Sequence, residues 1–306
     1  MYKYVKQVGL LLITVLSLVS SVPLTGQAEE TGKKIVTSFY PMYAITSEVV
    51  GDLQEVQMIN SGQGIHGFEP SANDIAGIYD ADIFVYHSNT LESWTKNLET
   101  NMKDRGIKVI QASQGLELKK VPGLEDVEAE GDKDQANLYD PHSWLDPLEA
   151  AREAEKIGQA MAEIDPDNAD TYKANAKAFS DKAQALVDKY QAIFEQKENK
   201  VFVTQHTAFY YLAERFGLKQ LGVSGITSQA EPSAKQIQEV MKFVKKYKVD
   251  TIFIEPNVSD KAAKVISDNT GVEMVTLSPL ESDPQNDASF LDNLDDQLQI
   301  LSDHMK

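Results

Sequence analysis

Short apolar runs alternate with helical stripes along most of the chain. β-Branched and aromatic residues cluster near 34–39, 55–60, 82–87 and 107–111, and again near 200–204, 219–223, 250–254 and 273–277. Each run is bounded by Gly, Pro or Asn and followed by residues whose apolar positions recur at helical spacing. Strands that alternate with helices build parallel sheets with helices on both faces. The pattern occurs twice and predicts an α/β protein of two pseudo-symmetric parallel-sheet lobes. Ligand sites in such lobes lie past the carboxyl ends of the strands.

The residues repeat as well as the pattern. Val36-Thr37-Ser38-Phe39-Tyr40 has an echo in Val203-Thr204-Gln205-His206 and the Phe209-Tyr210 that follows. Gly64-Ile65 leads into Glu69-Pro70-Ser71-Ala72, as Gly225-Ile226 leads into Glu231-Pro232-Ser233-Ala234. Ile83-Phe84-Val85 matches Ile252-Phe253-Ile254. Three echoes in one order mark a duplication.

Between the copies, Asp165 to about Glu198 holds no Gly or Pro after Pro166. Tyr172, Ala176, Phe179, Ala183, Leu186, Tyr190 and Ile193 form one apolar stripe of a helix. A helix of about thirty residues spans roughly 45 Å, so a rigid strut with modest movement between lobes is expected. The resulting division is 1–28 export signal, 29–164 first lobe, 165–198 linking helix and 199–306 second lobe.

The first segment reads as an address. Lys3 and Lys6 precede an apolar run from Val8 to Leu24, followed by the small residues Gly26 and Ala28, the layout of an export signal. An uncleaved membrane anchor has the same layout. No later stretch is long enough to span a bilayer. Leu24-Thr25-Gly26 resembles a bacterial lipobox, but Gln27 stands where the lipid-bearing cysteine belongs. The expectation is an exported protein, at the cell surface or secreted.

Composition narrows the partners. The 306 residues are 42% hydrophobic and 25% charged, with a formal net charge of −18. Such an acidic surface repels phosphate backbones and makes nucleic acid a poor partner, while it favours cations. The absence of cysteine removes disulfides, thiolate nucleophiles and Cys-ligated metals. Glu125 to Asp134 is an acidic run that reads as a solvated loop.

The chain has five histidines. His66, His142 and His206 each follow a predicted strand, which puts them at the rims facing the crevice between lobes. Leu277-Ser278-Pro279-Leu280-Glu281 follows the last strand of the second lobe. Three imidazoles and one carboxylate around a tetrahedral centre suit Zn²⁺. Hard Mg²⁺ and Ca²⁺ prefer all-oxygen shells, and Mn²⁺ is disfavoured by a nitrogen-rich one. Spacing alone carries this weakly, because no compact HExxH or CxxC motif is present. His87 reads as packed behind the site, His304 as solvated, and Trp144 as packing. Glu255 is either a surface acid or the carboxylate that orients a ligand imidazole.

Tyr40-Pro41-Met42-Tyr43, Gly64-Ile65-His66-Gly67-Phe68-Glu69-Pro70-Ser71, Asp140-Pro141-His142-Ser143-Trp144, Thr204-Gln205-His206-Thr207-Ala208-Phe209 and the 277–281 segment together resemble the metal-binding solute-binding proteins of ATP-driven zinc and manganese importers. The likeness is greatest to the zinc-binding, laminin-binding lipoproteins of streptococci. It implies two α/β lobes joined by a long helix and a Zn²⁺ site made of His66, His142, His206 and Glu281. It further implies a monomer that delivers zinc to the membrane permease of an ABC-type importer. Manganese-binding relatives carry a carboxylate at the position of His206, so imidazole there implies zinc. Two other readings remain: an adhesin that binds laminin, and a zinc-dependent hydrolase. No nucleophile elbow or general-base motif supports an enzyme.

Overall fold

Strand β1 (Lys34–Thr37) pairs in parallel with β2 (Glu55–Met58) and β3 (Ile83–Tyr86), and β3 with β4 (Lys108–Gln111), giving the order β2-β1-β3-β4. Within the second lobe, β7 (Val201–Thr204) pairs with β8 (Lys219–Gly222) and β9 (Thr251–Ile254), and β9 with β10 (Glu273–Thr276). Read from β8, that sheet has the same order and is also wholly parallel. The eight predicted strands are therefore present, each within two residues of its expected ends. The computed structural model describes residues 32–59, 64–122, 138–226 and 231–306. The predicted export signal, the lipobox-like segment at 24–27 and the acidic run at 125–134 lie outside the described residues.

The sequence echoes have local physical causes. In both Glu-Pro-Ser-Ala segments the serine is a helix N-cap. Ser71 caps α2 (Ala72–Tyr79) in a capping box with Asp74, and Ser233 caps α7 (Ala234–Tyr247) in one with Gln236. Each box satisfies two backbone N–H groups that the first helical turn leaves without partners. The Thr37 and Thr204 echo marks the ends of β1 and β7, where Ser38 N donates to Val85 O and Gln205 N to Phe253 O. The crossovers after β3, β7 and β9 carry α3 (Thr95–Asp104), α6 (Tyr210–Arg215) and α8 (Lys261–Thr270).

One element was not foreseen. After β4 the chain forms a two-stranded antiparallel ladder of β5 (Lys119–Lys120) and β6 (Tyr139–Asp140). His142 follows β6, so it is presented by this ladder and not directly by the fourth strand. The ladder also leans on the second lobe, because Lys119 pairs with Glu214 and lies over the Tyr211 ring at 5.3 Å.

The linking segment is a helical hairpin. Helix α4 (Pro147–Ile164) is capped by Asp146 and packs against α5 (Ala169–Glu195), with Gly158 bringing the two backbones close. The 27 residues of α5 extend about 40 Å. Its buried stripe is Tyr172, Ala176, Phe179, Ala183, Val187, Tyr190 and Phe194, while Leu186 and Ile193 are only partly buried. The expected stripe had an average step of about 3.5 residues, and a straight α-helix drifts past that repeat within a few turns. Helix α5 also packs on α1 (Tyr40–Val50) and α9 (Phe290–Asp303). One hydrophobic core therefore runs from Ile35 and Phe39 through Tyr172 and Tyr190 to Phe202 and Leu298. The linker is a spine of this core more than a bridge between two cores.

Gly222 ends β8 where the segment after β7 comes closest. A Cβ there would lie 2.2 Å from Thr207 Oγ1 and 2.6 Å from Ser224 O. Thr207 N donates to Gly225 O and its hydroxyl to Ser224 O, which fixes the turn carrying His206. Gly222→Ala is expected to lower stability by about 1–3 kcal/mol through overpacking against backbone, read as a fall in the urea or thermal midpoint.

Candidate metal centre

Four side chains from four separate segments meet at one point. His66, His142, His206 and Glu281 each place one donor atom so that all four lie within 4.8 Å of one another. Glu281 Oε1 stands 3.4 Å from the Nε2 atoms of His66, His142 and His206 alike. His142 Nε2 is 3.4 Å from His206 Nε2 and 2.9 Å from His66 Nε2. Donors at about 2.0–2.1 Å from a tetrahedral ion lie roughly 3.3–3.4 Å apart; four of these five separations have that length, the His66–His142 edge is contracted, and the sixth edge, His66–His206, is no longer than 4.8 Å.

Two of the imidazoles are braced from behind. His142 Nδ1 donates to Asp140 Oδ1 at 2.6 Å, and the same oxygen accepts the His142 backbone N–H at 2.8 Å. His206 Nδ1 donates to Glu255, settling the two roles considered for that acid in favour of orientation. Gln205 holds Glu255 in turn: its Oε1 accepts Glu255 N at 2.9 Å while its Nε2 donates to Ser259 O. A proton fixed on Nδ1 leaves the Nε2 lone pair turned to the common point.

Glu281 arrives by close backbone approach. A Cβ on Gly64 would lie 3.0 Å from Glu281 Oε2, so only glycine lets the His66 segment come this near without displacement. Glu281 Oε1 is buried yet has no hydrogen-bond partner of ordinary geometry. An anionic oxygen without a partner in a dry site is costly, and a cation coordinated there would remove that cost.

The electrostatics express the same tension. Burial lowers the His66 pKa, partly countered by Glu281. Burial would also lower His142 and His206, but the carboxylates outweigh it. Asp140 raises His142, while Glu255 and Glu281 push His206 up to about 10. Burial would raise Glu281, yet the three imidazoles hold it well below the usual carboxylate range. The pocket thus stabilises positive charge, and a metal ion entering it competes with protons.

The remaining candidates sit apart. His87 is buried, with Nε2 at 2.8 Å from Ser143 Oγ and 3.2 Å from Glu153 Oε1, and its ring lies edge-on to Trp144. It braces the segment next to His142 and supplies no donor to the cluster. His304 is half-exposed, 3.6 Å from Glu273. Trp144 packs as expected and also donates from Nε1 to Pro279 O at 2.9 Å. Sequence reasoning quoted Asp140 within its motif without giving it a task. The signal was the Asp-Pro-His spacing, in which a carboxylate two residues before an imidazole reaches both its Nδ1 and its backbone N–H.

With this geometry in place, similarity to known proteins is informative. Residues 35–304 match the family model described as zinc-uptake complex component A, periplasmic. The chain is 38% identical over 293 residues to the zinc-binding lipoprotein AdcA of Streptococcus pneumoniae, an alignment covering 94% of this chain and 58% of AdcA. It therefore spans little more than half the length of that relative. Among solved structures, a Zn(II)-bound variant of AdcAII of Streptococcus pneumoniae with one Glu→Gln substitution is 54% identical, with a TM-score of 0.84, covering 91% of this chain and 100% of that one. The laminin-binding protein Lmb of Streptococcus agalactiae, described as bifunctional with adhesin and metal-transporting activity, is 49% identical with a TM-score of 0.83, covering 90% of this chain and 100% of its own. Matched from its first strand to its last helix, the chain belongs to the zinc-uptake complex component A family.

Proposed function

We propose that this protein is exported, captures one Zn²⁺ with His66, His142, His206 and Glu281, and delivers it as a monomer to the membrane permease of an ABC-type importer. The observation that carries this reading is the set of 3.4 Å separations between Glu281 Oε1 and three Nε2 atoms, the edge length of tetrahedral zinc coordination. The donors are neutral nitrogens and one carboxylate, which favours zinc over hard cations. Family membership and the zinc-binding relatives support the cargo.

Four protein donors also argue for carriage over catalysis. Catalytic zinc keeps three protein ligands and an open position for water. Here the fourth position faces a buried carboxylate. The likeness to Lmb supports a second role as a laminin-binding adhesin, and binding of laminin by the folded protein, with and without zinc, tests it.

A chelator-competition titration of the metal-stripped protein is expected to reveal one tight Zn²⁺ site and much weaker Mn²⁺ binding. Absence of a tight site, or a preference for manganese, refutes the assignment. Glu255→Ala leaves all four donors but releases the His206 ring, and zinc affinity is expected to fall about 10–100-fold. His206→Ala removes a donor outright and is expected to cost more than that outer-partner range, with far-ultraviolet circular dichroism unchanged. Because variants of the same relative with a single His→Ala or His→Leu substitution are described as Zn(II)-bound, the expected result is weakened binding and not its abolition.

A further inference from the structure

The segment Tyr139–Pro147 carries His142 and is tied to the second lobe at three places. Asp140 Oδ2 accepts the Tyr210 backbone N–H at 3.1 Å. Asp146, the N-cap of α4, takes the Arg215 guanidinium, with Nε at 2.8 and 2.9 Å from its two oxygens. Between them, Trp144 Nε1 donates to Pro279 O at 2.9 Å. Behind the segment, Ser143 Oγ donates to Glu153 at 2.6 Å.

The third tie differs from the others in where it leads. Pro279 stands two residues before Glu281, and the intervening Leu280 is buried with φ of 54°. A non-glycine residue in the left-handed region is strained by about 1–2 kcal/mol and persists only where its surroundings hold it. Leu280 N donates to Ser278 Oγ, and Ser278 N donates to Gln297 Oε1 on α9. These bonds hold the loop to its own lobe; the Trp144 bond holds it to the lobe of His142. Glu281 Oε1 has no hydrogen bond of ordinary length, its three imidazole neighbours standing 3.4 Å away, so its distance from them follows the loop backbone.

Trp144 is well suited to impose that position. It is fully buried, with its ring centroid 5.1 Å from Phe39, 5.1 Å from His87 and 5.2 Å from His142. Phenylalanine would meet the demand for apolar packing. An indole adds one N–H, which must find a partner when buried, and the partner it finds is the turn that delivers the carboxylate ligand.

We propose that Trp144 is a positioning residue of the metal site: its N–H···O=C bond to Pro279 sets the Glu281 carboxylate against His142 and so controls how fast the metal leaves. The proposal rests on the zinc-binding reading above. The same segment thus fixes two ligands, one within itself and one across the cleft. Loss of the bond leaves a buried carbonyl without a partner and lets the strained turn relax away from the imidazoles.

The test replaces Trp144 with 3-benzothienylalanine, which keeps the bicyclic shape but has sulfur in place of N–H, and in parallel with Phe. Zinc release into excess chelator is timed by stopped flow in the wild-type and Glu281→Gln backgrounds, completing a double-mutant cycle. With Glu281 present, the isostere is expected to release zinc about tenfold faster or more, while the metal-free protein still melts in one cooperative transition, lowered by no more than one lost buried hydrogen bond accounts for. In the already weakened Glu281→Gln background, the further change is expected to stay within about twofold, because the bond acts through that carboxylate. A merely structural tryptophan would speed release by the same factor in both backgrounds, and that result, or no change in either, overturns the proposal. A wild-type protein without a tight zinc site overturns the function itself, and is seen before any variant is made.

Discussion

The structure depends on keeping carboxylates buried next to imidazoles. Asp140, Glu255 and Glu281 are all withdrawn from water within the same small region, where unpaired charge is expensive. Each has a specific relief. Asp140 and Glu255 accept Nδ1–H bonds, and Glu281 faces three Nε2 atoms. That arrangement polarises the imidazoles toward one point and leaves a negative oxygen facing it. A divalent cation of the right size completes the charge balance, so selectivity and affinity share a cause with the stability of the cleft.

The cleft can hold such geometry because its two sides are parts of one body. Helix α5 packs on helices of both lobes, and the core is continuous along it. The ladder β5–β6 and the Asp146–Arg215 pair close the side nearest His142. Arg215 is only partly exposed and meets a buried carboxylate through both Nε and Nη2, a paired geometry that is stronger than a single surface contact. A site fixed in this way is preorganised for an ion, and on the zinc-carrier reading release would fall to elements smaller than whole lobes. The turn at Leu280 is one such element.

Much of this was legible in the residues because short strands and punctuation repeat. The parallel sheets follow from alternation, and the Glu-Pro-Ser echoes are N-caps that any helix start rewards. Val187 and Phe194 take the buried places expected for Leu186 and Ile193 because of the difference between a 3.5- and a 3.6-residue step. The ladder β5–β6 escaped notice because its strands are two residues each, too short for a period-two pattern. The bracing role of Asp140 is local and was within reach of the Asp-Pro-His spacing, whereas that of Gln205 depends on a pairing between distant segments that only the fold creates. The four-residue cluster itself was carried by placement at strand ends, while its distances required the packed structure.

Register explains why a duplicated chain has an undivided, asymmetric site. Thr37 pairs with Val85 in the first sheet as Thr204 pairs with Phe253 in the second. Counting two residues onward from each, Phe39 occupies the place of His206, and His87 the place of Glu255. In the second lobe this pair is an imidazole of the four-residue cluster and the carboxylate that braces it. In the first it is an aromatic ring and an imidazole packed edge-on at 6.4 Å, and both meet Trp144. The same two backbone positions thus serve chemistry in one copy and support in the other. A second imidazole–carboxylate pair at Phe39 and His87 would add buried charge with no further cation to balance it. Filling those positions with rings instead gives Trp144 its pocket, and places the support of one lobe directly behind the ligands it shares with the other.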